Sequence, residues 1–131
     1  MNESVDVVRQ LYDAFGRKDE AELRTILDPE VEWIQCAGFP GGGRRHGVAS
    51  VLADVFSSLR SQWNDWRIEI EEYLDAGETV VVLGAYAGTH ADTNKSMTAV
   101  FAHVYDVADG RITRFRQFTD TYELVKATQT D

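Results

Sequence analysis

Ser96–Thr121 reads SMTAVFAHVYDVADGRITRFRQFTDT. Two β-forming runs, about 96–107 and 111–120, flank Ala108-Asp109-Gly110-Arg111. Asp-Gly between alternating apolar residues is the sequence of a tight hairpin turn. The second run ends on the polar residues Gln117 and Asp120, so its register decides which polar side chains face inward. A two-residue Asp109-Gly110 turn pairs Ala108 with Arg111, Val104 with Phe115 and Ala102 with Gln117, and sends His103 to the opposite face with Arg116. This is the register expected. A bulge or a three-residue loop shifts pairing by one, swaps the faces and brings His103 beside Gln117.

Upstream of this hairpin the two-residue period persists. Trp66, Ile68, Ile70 and Leu74 alternate with Arg67, Glu69, Glu71 and Tyr73. Asp75-Ala76-Gly77-Glu78 is a turn, and Thr79–Gly88 is apolar enough to be covered on both faces. Further upstream the period becomes 3.6. Val5, Val8, Leu11, Tyr12 and Phe15 predict a helix over about 3–16, capped by Asn2 or Ser4. Asp19 with Glu22 three residues on is a capping box for a second helix, which Asp28-Pro29 stops. Val31–Cys36 is a short strand, and Gly38–Gly43 breaks regular structure. Val48, Val51, Leu52, Val55, Phe56 and Leu59 form the stripe of a third helix over about 47–62.

Three N-terminal helices followed by four antiparallel strands predict an α+β fold, with the helices on one face of a curved sheet. At 131 residues, residues 1–131 are expected to form a single domain. The uncovered sheet face then calls for a second copy of the chain, so a homodimer packed sheet to sheet is expected. The apolar fraction is 44 % and the net charge is −9. Such acidity disfavours nucleic acid and anionic membrane surfaces as partners. No apolar run is long enough to span a bilayer. Cys36 is the lone cysteine, which excludes an internal disulfide and fits a reducing, cytoplasmic setting.

The stretches VVRQLYDAFGRKDEAELRTILDPEVEW, HGVASV and FAHVYDVADGRITRFRQFTDT resemble the SnoaL-like branch of the nuclear-transport-factor-two-like superfamily. Its kin are ketosteroid isomerases, polyketide cyclases and limonene epoxide hydrolases. The resemblance implies a cone-shaped curved sheet around an apolar cavity, no cofactor, and a small apolar carbonyl-type molecule as ligand. It also implies positions for acids that this chain lacks. Where a ketosteroid isomerase carries its base, tyrosine and protonated acid, this chain has Trp33, Leu11 (Tyr12 adjoins it) and Ala102. The base of limonene epoxide hydrolases falls on Gln117, and an amide takes up no proton at neutral pH. The acid of the cyclases aligns with either Gln117 or Asp120.

The candidate acid/base residues are therefore Asp120 and His103. The candidate ligand contacts are Tyr12, Trp33, Tyr86, Ala102 and Gln117. Each has a plainer reading. Asp120 is a partner for Arg114 or Arg116, or the cap of the terminal segment; His103 is an interface histidine; the tyrosines are core. Gly41–His46 is read as a flap near the cavity mouth, since the phosphate-loop spacing is absent. His46, His90 and His103 lack metal-site spacing, so no metal is expected. Three functions stay open: a cyclase-, isomerase- or hydrolase-like enzyme, a ligand carrier, and a dimerisation module.

Overall fold

The computed structural model describes residues 3–130. Helix α1 is Glu3–Gly16 and buries Val8, Leu11 and Ala14. Asn2, one of the two expected caps, lies outside the described residues, and Ser4 falls within the first turn of the helix. Helix α2, Glu20–Ile26, is capped as expected, with the Glu22 amide donating to Asp19 Oδ1 at 3.1 Å. The third helix, α3, covers residues 48–62. It begins as an α-turn, Val48–Ser50, widens into a π-helical stretch, Val51–Phe56, and closes as α-helix, Ser57–Gln62.

Six strands form one sheet. They are β1 Leu27–Ile34, β2 Arg44–His46, β3 Trp63–Ala76, β4 Thr79–His90, β5 Ser96–Ala108 and β6 Arg111–Thr119. Their spatial order is β2-β1-β6-β5-β4-β3. The last four strands pair antiparallel, but β1 runs parallel to β6, so the sheet is mixed. Strand β1 begins four residues before the expected Val31 and passes through Pro29. Its pairing skips from Leu27 to Glu32, which leaves the proline, lacking an N–H, outside the ladder. Strand β2 and a terminal helix α4, Thr121–Thr128, are additions to the expected elements.

The turn at Asp109-Gly110 has two residues with positive φ, 52° and 77°, as the tight hairpin requires. Ala108 pairs with Arg111 as expected. The expected register then fails, because a bulge intervenes between Asp106 and Val107 on the β5 side. Ile112 pairs with Val107 and Arg114 with Asp106, so Thr113 is the extra residue. Its hydroxyl donates to the Asp106 carbonyl at 3.2 Å. Beyond the bulge every β6 side chain has changed face. His103 pairs with Gln117, and Ala102 pairs with Phe118.

A second bulge lies in β3, where Ile70 pairs with Gly84 but Glu72 pairs with Leu83. Bulges bend a strand and increase its twist. The sheet curves around α1 and α3, and the buried apolar side chains join in one cluster between these layers.

Candidate functional site

The concave face of the sheet and helices α1 and α3 enclose a cavity. Its walls are mainly apolar and aromatic, with Trp33, Phe56, Trp66 and Phe115 among them. The room open to the centre of a water-sized sphere is about 40 Å³, enough for more than one water molecule. The polar groups that reach it come from α1 (Tyr12), β4 (Tyr86), β5 (His103 and Tyr105), β6 (Gln117) and the segment after β1 (Gln35).

His103 is at the centre of these groups and only 3 % exposed. The Phe101 ring stacks on it with 3.9 Å between centroids. Nδ1 lies 2.7 Å from the Tyr12 hydroxyl, and Nε2 is hydrogen-bonded to the Tyr86 hydroxyl. Tyr12 is joined in turn to the Tyr105 hydroxyl at 2.9 Å. Gln117 Nε2 donates to the Tyr86 hydroxyl at 3.0 Å. The other amide atom, Gln117 Oε1, accepts from the Cys36 backbone N–H at 3.2 Å and from its thiol at 3.6 Å. The glutamine is thereby locked in orientation.

No carboxylate belongs to this cluster. Burial alone lowers the His103 pKa from the ordinary 6.5 to about 3. Burial also raises the pKa of Tyr12, Tyr86 and Tyr105. At neutral pH the four groups are uncharged. A neutral imidazole has one N–H donor and one bare nitrogen acceptor, so its two tyrosine partners must play opposite parts.

The structure brings together Tyr12, Trp33, Tyr86, His103 and Gln117 from the expected set. It does not bring Ala102, which lies on the outer face of β5, or Asp120. Asp120 is exposed and caps α4, accepting from the Glu123 amide at 3.5 Å. Neither residue lines the cavity. Arg114, one of the expected partners of Asp120, pairs instead with Glu32 at 3.2 Å. The expected flap contributes an edge strand, β2, paired to β1, and the His46 side chain is outside the cavity beside Glu30. Other cavity residues are absent from the expected set, Tyr105, Gln35 and Phe39 among them. Tyr105 follows His103 by two residues and so shares its face, which is a signal the sequence does carry. Among the described residues, no group of three His, Cys, Asp or Glu side chains is placed to hold a metal ion, and no helix is long and apolar enough to cross a membrane.

A family model described as the SnoaL-like domain matches residues 8–115. The structure superimposes with a TM-score of 0.92 on an NTF2-like protein from Burkholderia thailandensis E264, 35 % identical, over 98 % of this chain and 99 % of that one. TerC, crystallised with polyporic acid, has the same fold at a TM-score of 0.85 and 22 % identity, over 96 % of this chain and 98 % of that one. An uncharacterised protein of Mycobacterium tuberculosis (strain ATCC 25618 / H37Rv) is 28 % identical over 114 residues, 87 % of this chain and 86 % of that protein.

Proposed function

Because the chain belongs to the SnoaL-like domain family, whose fold carries more than one chemistry, we propose its function from the site. The protein takes a small apolar carbonyl compound into the cavity and performs acid/base chemistry on it, cyclase- or isomerase-like, with His103 as the central group. The observation that carries this reading is a buried, uncharged His103 held between two tyrosine hydroxyls in an apolar cavity. Buried titratable groups in a cleft are the usual mark of a functional site.

Hydrogen-bond accounting supports a ligand that brings acceptors. The links Tyr105–Tyr12, Tyr12–Nδ1 and Nε2–Tyr86 need three protons, and the three hydroxyls and the neutral imidazole supply four. Gln117 supplies its own proton to Tyr86. One hydroxyl proton is therefore left over in every arrangement. The indole N–H groups of Trp33 and Trp66, whose side chains line the same cavity, are buried without a partner. Buried donors left unsatisfied are costly, and a carbonyl oxygen meets that need. Phe15, Leu59, Trp66 and Ile68 are half-buried lining side chains without a place in the hydrogen-bonded cluster, so a ring larger than a few waters is admitted by their turning aside. The like-folded TerC was crystallised with a ligand, polyporic acid.

A matched pair of probes tests the reading. 2-Indanone is expected to stabilise the protein against heat at about five-fold lower concentration than indane, which has the same skeleton and no oxygen, since one satisfied donor is worth roughly 1 kcal/mol. Equal stabilisation by both, or by neither, removes the proposal. A carrier without turnover is the second reading, favoured by Gln117 standing where a hydrolase relative has its base.

The outer sheet face carries a second feature. Val100, Phe118 and Leu74 are 66 %, 54 % and 40 % exposed. Across the pairing Val100 meets Ala85, Phe118 meets Ala102 and then Leu83, and Leu74 meets Val81 and then Val104, which makes one apolar patch. Arg116 lies at its β6 side, and Glu69 and Glu72 lie at its β3 side. A two-fold axis along the strands sets the basic side of one copy over the acidic side of the other, so the patch suits a homodimer. Phe118→Glu is expected to yield monomers in sedimentation velocity at a concentration where the parent chain is dimeric; a monomeric parent chain would refute the dimer.

A further inference from the structure

The geometry points to a two-ended proton relay, Tyr12–His103–Tyr86, that moves one proton across the cavity by switching the imidazole tautomer. The inference rests on the pocket reading above and adds how its acid/base chemistry runs.

The relay begins with the surplus proton. With His103 protonated on Nδ1, the imidazole donates to Tyr12 and accepts from Tyr86 at Nε2. Tyr12 then receives two hydrogen bonds, from Nδ1 and from Tyr105, and its own proton is free. With His103 protonated on Nε2, Tyr12 donates to Nδ1 and Tyr86 receives two hydrogen bonds, from Nε2 and from Gln117. Now the Tyr86 proton is free. Tautomer and free hydroxyl are thus coupled: the spare proton sits at one end of the chain or at the other.

The two ends are built alike. Each terminal hydroxyl touches one imidazole nitrogen and receives one further hydrogen bond, from Tyr105 at 2.9 Å on the Tyr12 side and from Gln117 at 3.0 Å on the Tyr86 side, and they differ in that the Tyr105 hydroxyl also lies 3.5 Å from Nδ1. Both tyrosines line the cavity. Each imidazole nitrogen is bonded to a tyrosine hydroxyl, so the ring exchanges protons with a ligand through those hydroxyls.

The relay enolises a ketone in one balanced step. The Tyr12 O–H bond breaks and its proton joins the carbonyl oxygen. The Nδ1–H proton moves to Tyr12. The Tyr86 proton moves to Nε2. The Tyr86 oxygen takes the α-proton of the ketone, and the C–H electron pair becomes the C=C bond while the carbonyl π pair becomes the new O–H bond. All groups of the chain end neutral, with His103 in the other tautomer. The reverse direction, with the ends exchanged, has the same balance and returns the chain to its first state.

Burial decides in favour of this route over a simple histidine base. An imidazolium in this apolar, carboxylate-free site is strongly disfavoured, so chemistry that parks a proton on His103 is suppressed. A proton that enters one nitrogen as another leaves the second nitrogen never forms that ion.

The test uses 2-indanone in D2O, with binding read by thermal stabilisation and α-proton exchange read by NMR at saturating ketone. The whole chain is expected to accelerate exchange. Tyr12→Phe and Tyr86→Phe are each expected to lower it by about 100-fold, the size of one lost acid/base contribution, while still binding the ketone. The double variant is expected to be no slower than either single, because the two ends act in series. Binding without accelerated exchange overturns the relay and leaves the pocket reading standing. A single variant that keeps its exchange, or a double variant whose loss is the product of the two singles, also overturns it. Absence of binding strikes the pocket reading first. Should one variant not fold, the substitution at the other end decides the question alone, since loss of either hydroxyl interrupts the same chain.

Discussion

Gly84→Ala is expected to cost about 3 kcal/mol or more, the upper range for forcing an extra methyl into a packed interior. In a chain of this length that corresponds to a fall of roughly 10 °C in Tm. Gly84 is buried in the second strand from the edge and sits beside the bulge of β3. A Cβ there would collide with the Glu69 carbonyl oxygen of the neighbouring strand and lie 2.8 Å from Phe101 Cζ. Neither obstacle is a free side-chain end. The carbonyl is backbone of a paired strand, and the Phe101 ring is stacked between Tyr86 and His103, with centroids at 4.6 and 3.9 Å. The damage should therefore reach the relay. Urea denaturation followed by tryptophan fluorescence measures the cost; a loss under about 1 kcal/mol, below the usual range for overpacking, would mean the strands separate more freely than their pairing implies.

Acid is expected to destabilise the chain through His103. Its folded pKa is about 3 against an ordinary 6.5, so below pH 6.5 the unfolded chain takes up a proton that the native chain does not. Stability is unaffected above that pH and declines by about 1.4 kcal/mol per unit as pH falls through the window toward 3. Between pH 7 and 4.5 the loss from this one group is about 3 kcal/mol. Carboxylates titrate over part of the same range, so the comparison is with His103→Gln, which removes this titration alone. The parent chain should lose about 3 kcal/mol more than the variant over that interval. Parallel pH–stability curves would show that the imidazole is solvated, and would remove the physical basis for a neutral relay.

Much of this molecule can be read along its sequence, wherever a local period carries the information. The stripes of α1 and α3 and the alternation of β3 to β5 place the helices and strands within a few residues. The Asp19–Glu22 spacing marks a helix start, and the same spacing at Asp120 and Glu123 marks α4, where an acid at the end of a strand competes with a cap as the reading of Asp120. The register of β6 is harder. One extra residue, Thr113, moves Gln117 from Ala102 to His103. The clue is the interval from Ile112 to Phe115: two buried residues three apart break the alternation at the bulge. The parallel neighbour of β1 leaves no local mark, since strand order is set by how helices and sheet close on each other. Nor does a sequence reveal that Tyr12 of α1 and Tyr86 of β4, 74 positions apart, meet the two sides of one ring.

The position of β6 between β1 and β5 has a consequence for how the molecule is made. A nascent chain that stops before Arg111 holds two half-sheets with no strand to join them, β2-β1 on one side and β5-β4-β3 on the other. Helices α1 and α2 can form early, but the roof they provide has no complete floor until the last strand threads into the gap. The ribosome must release residues 111–119 before the hollow exists, so the cavity belongs to the finished protein and never to the growing one.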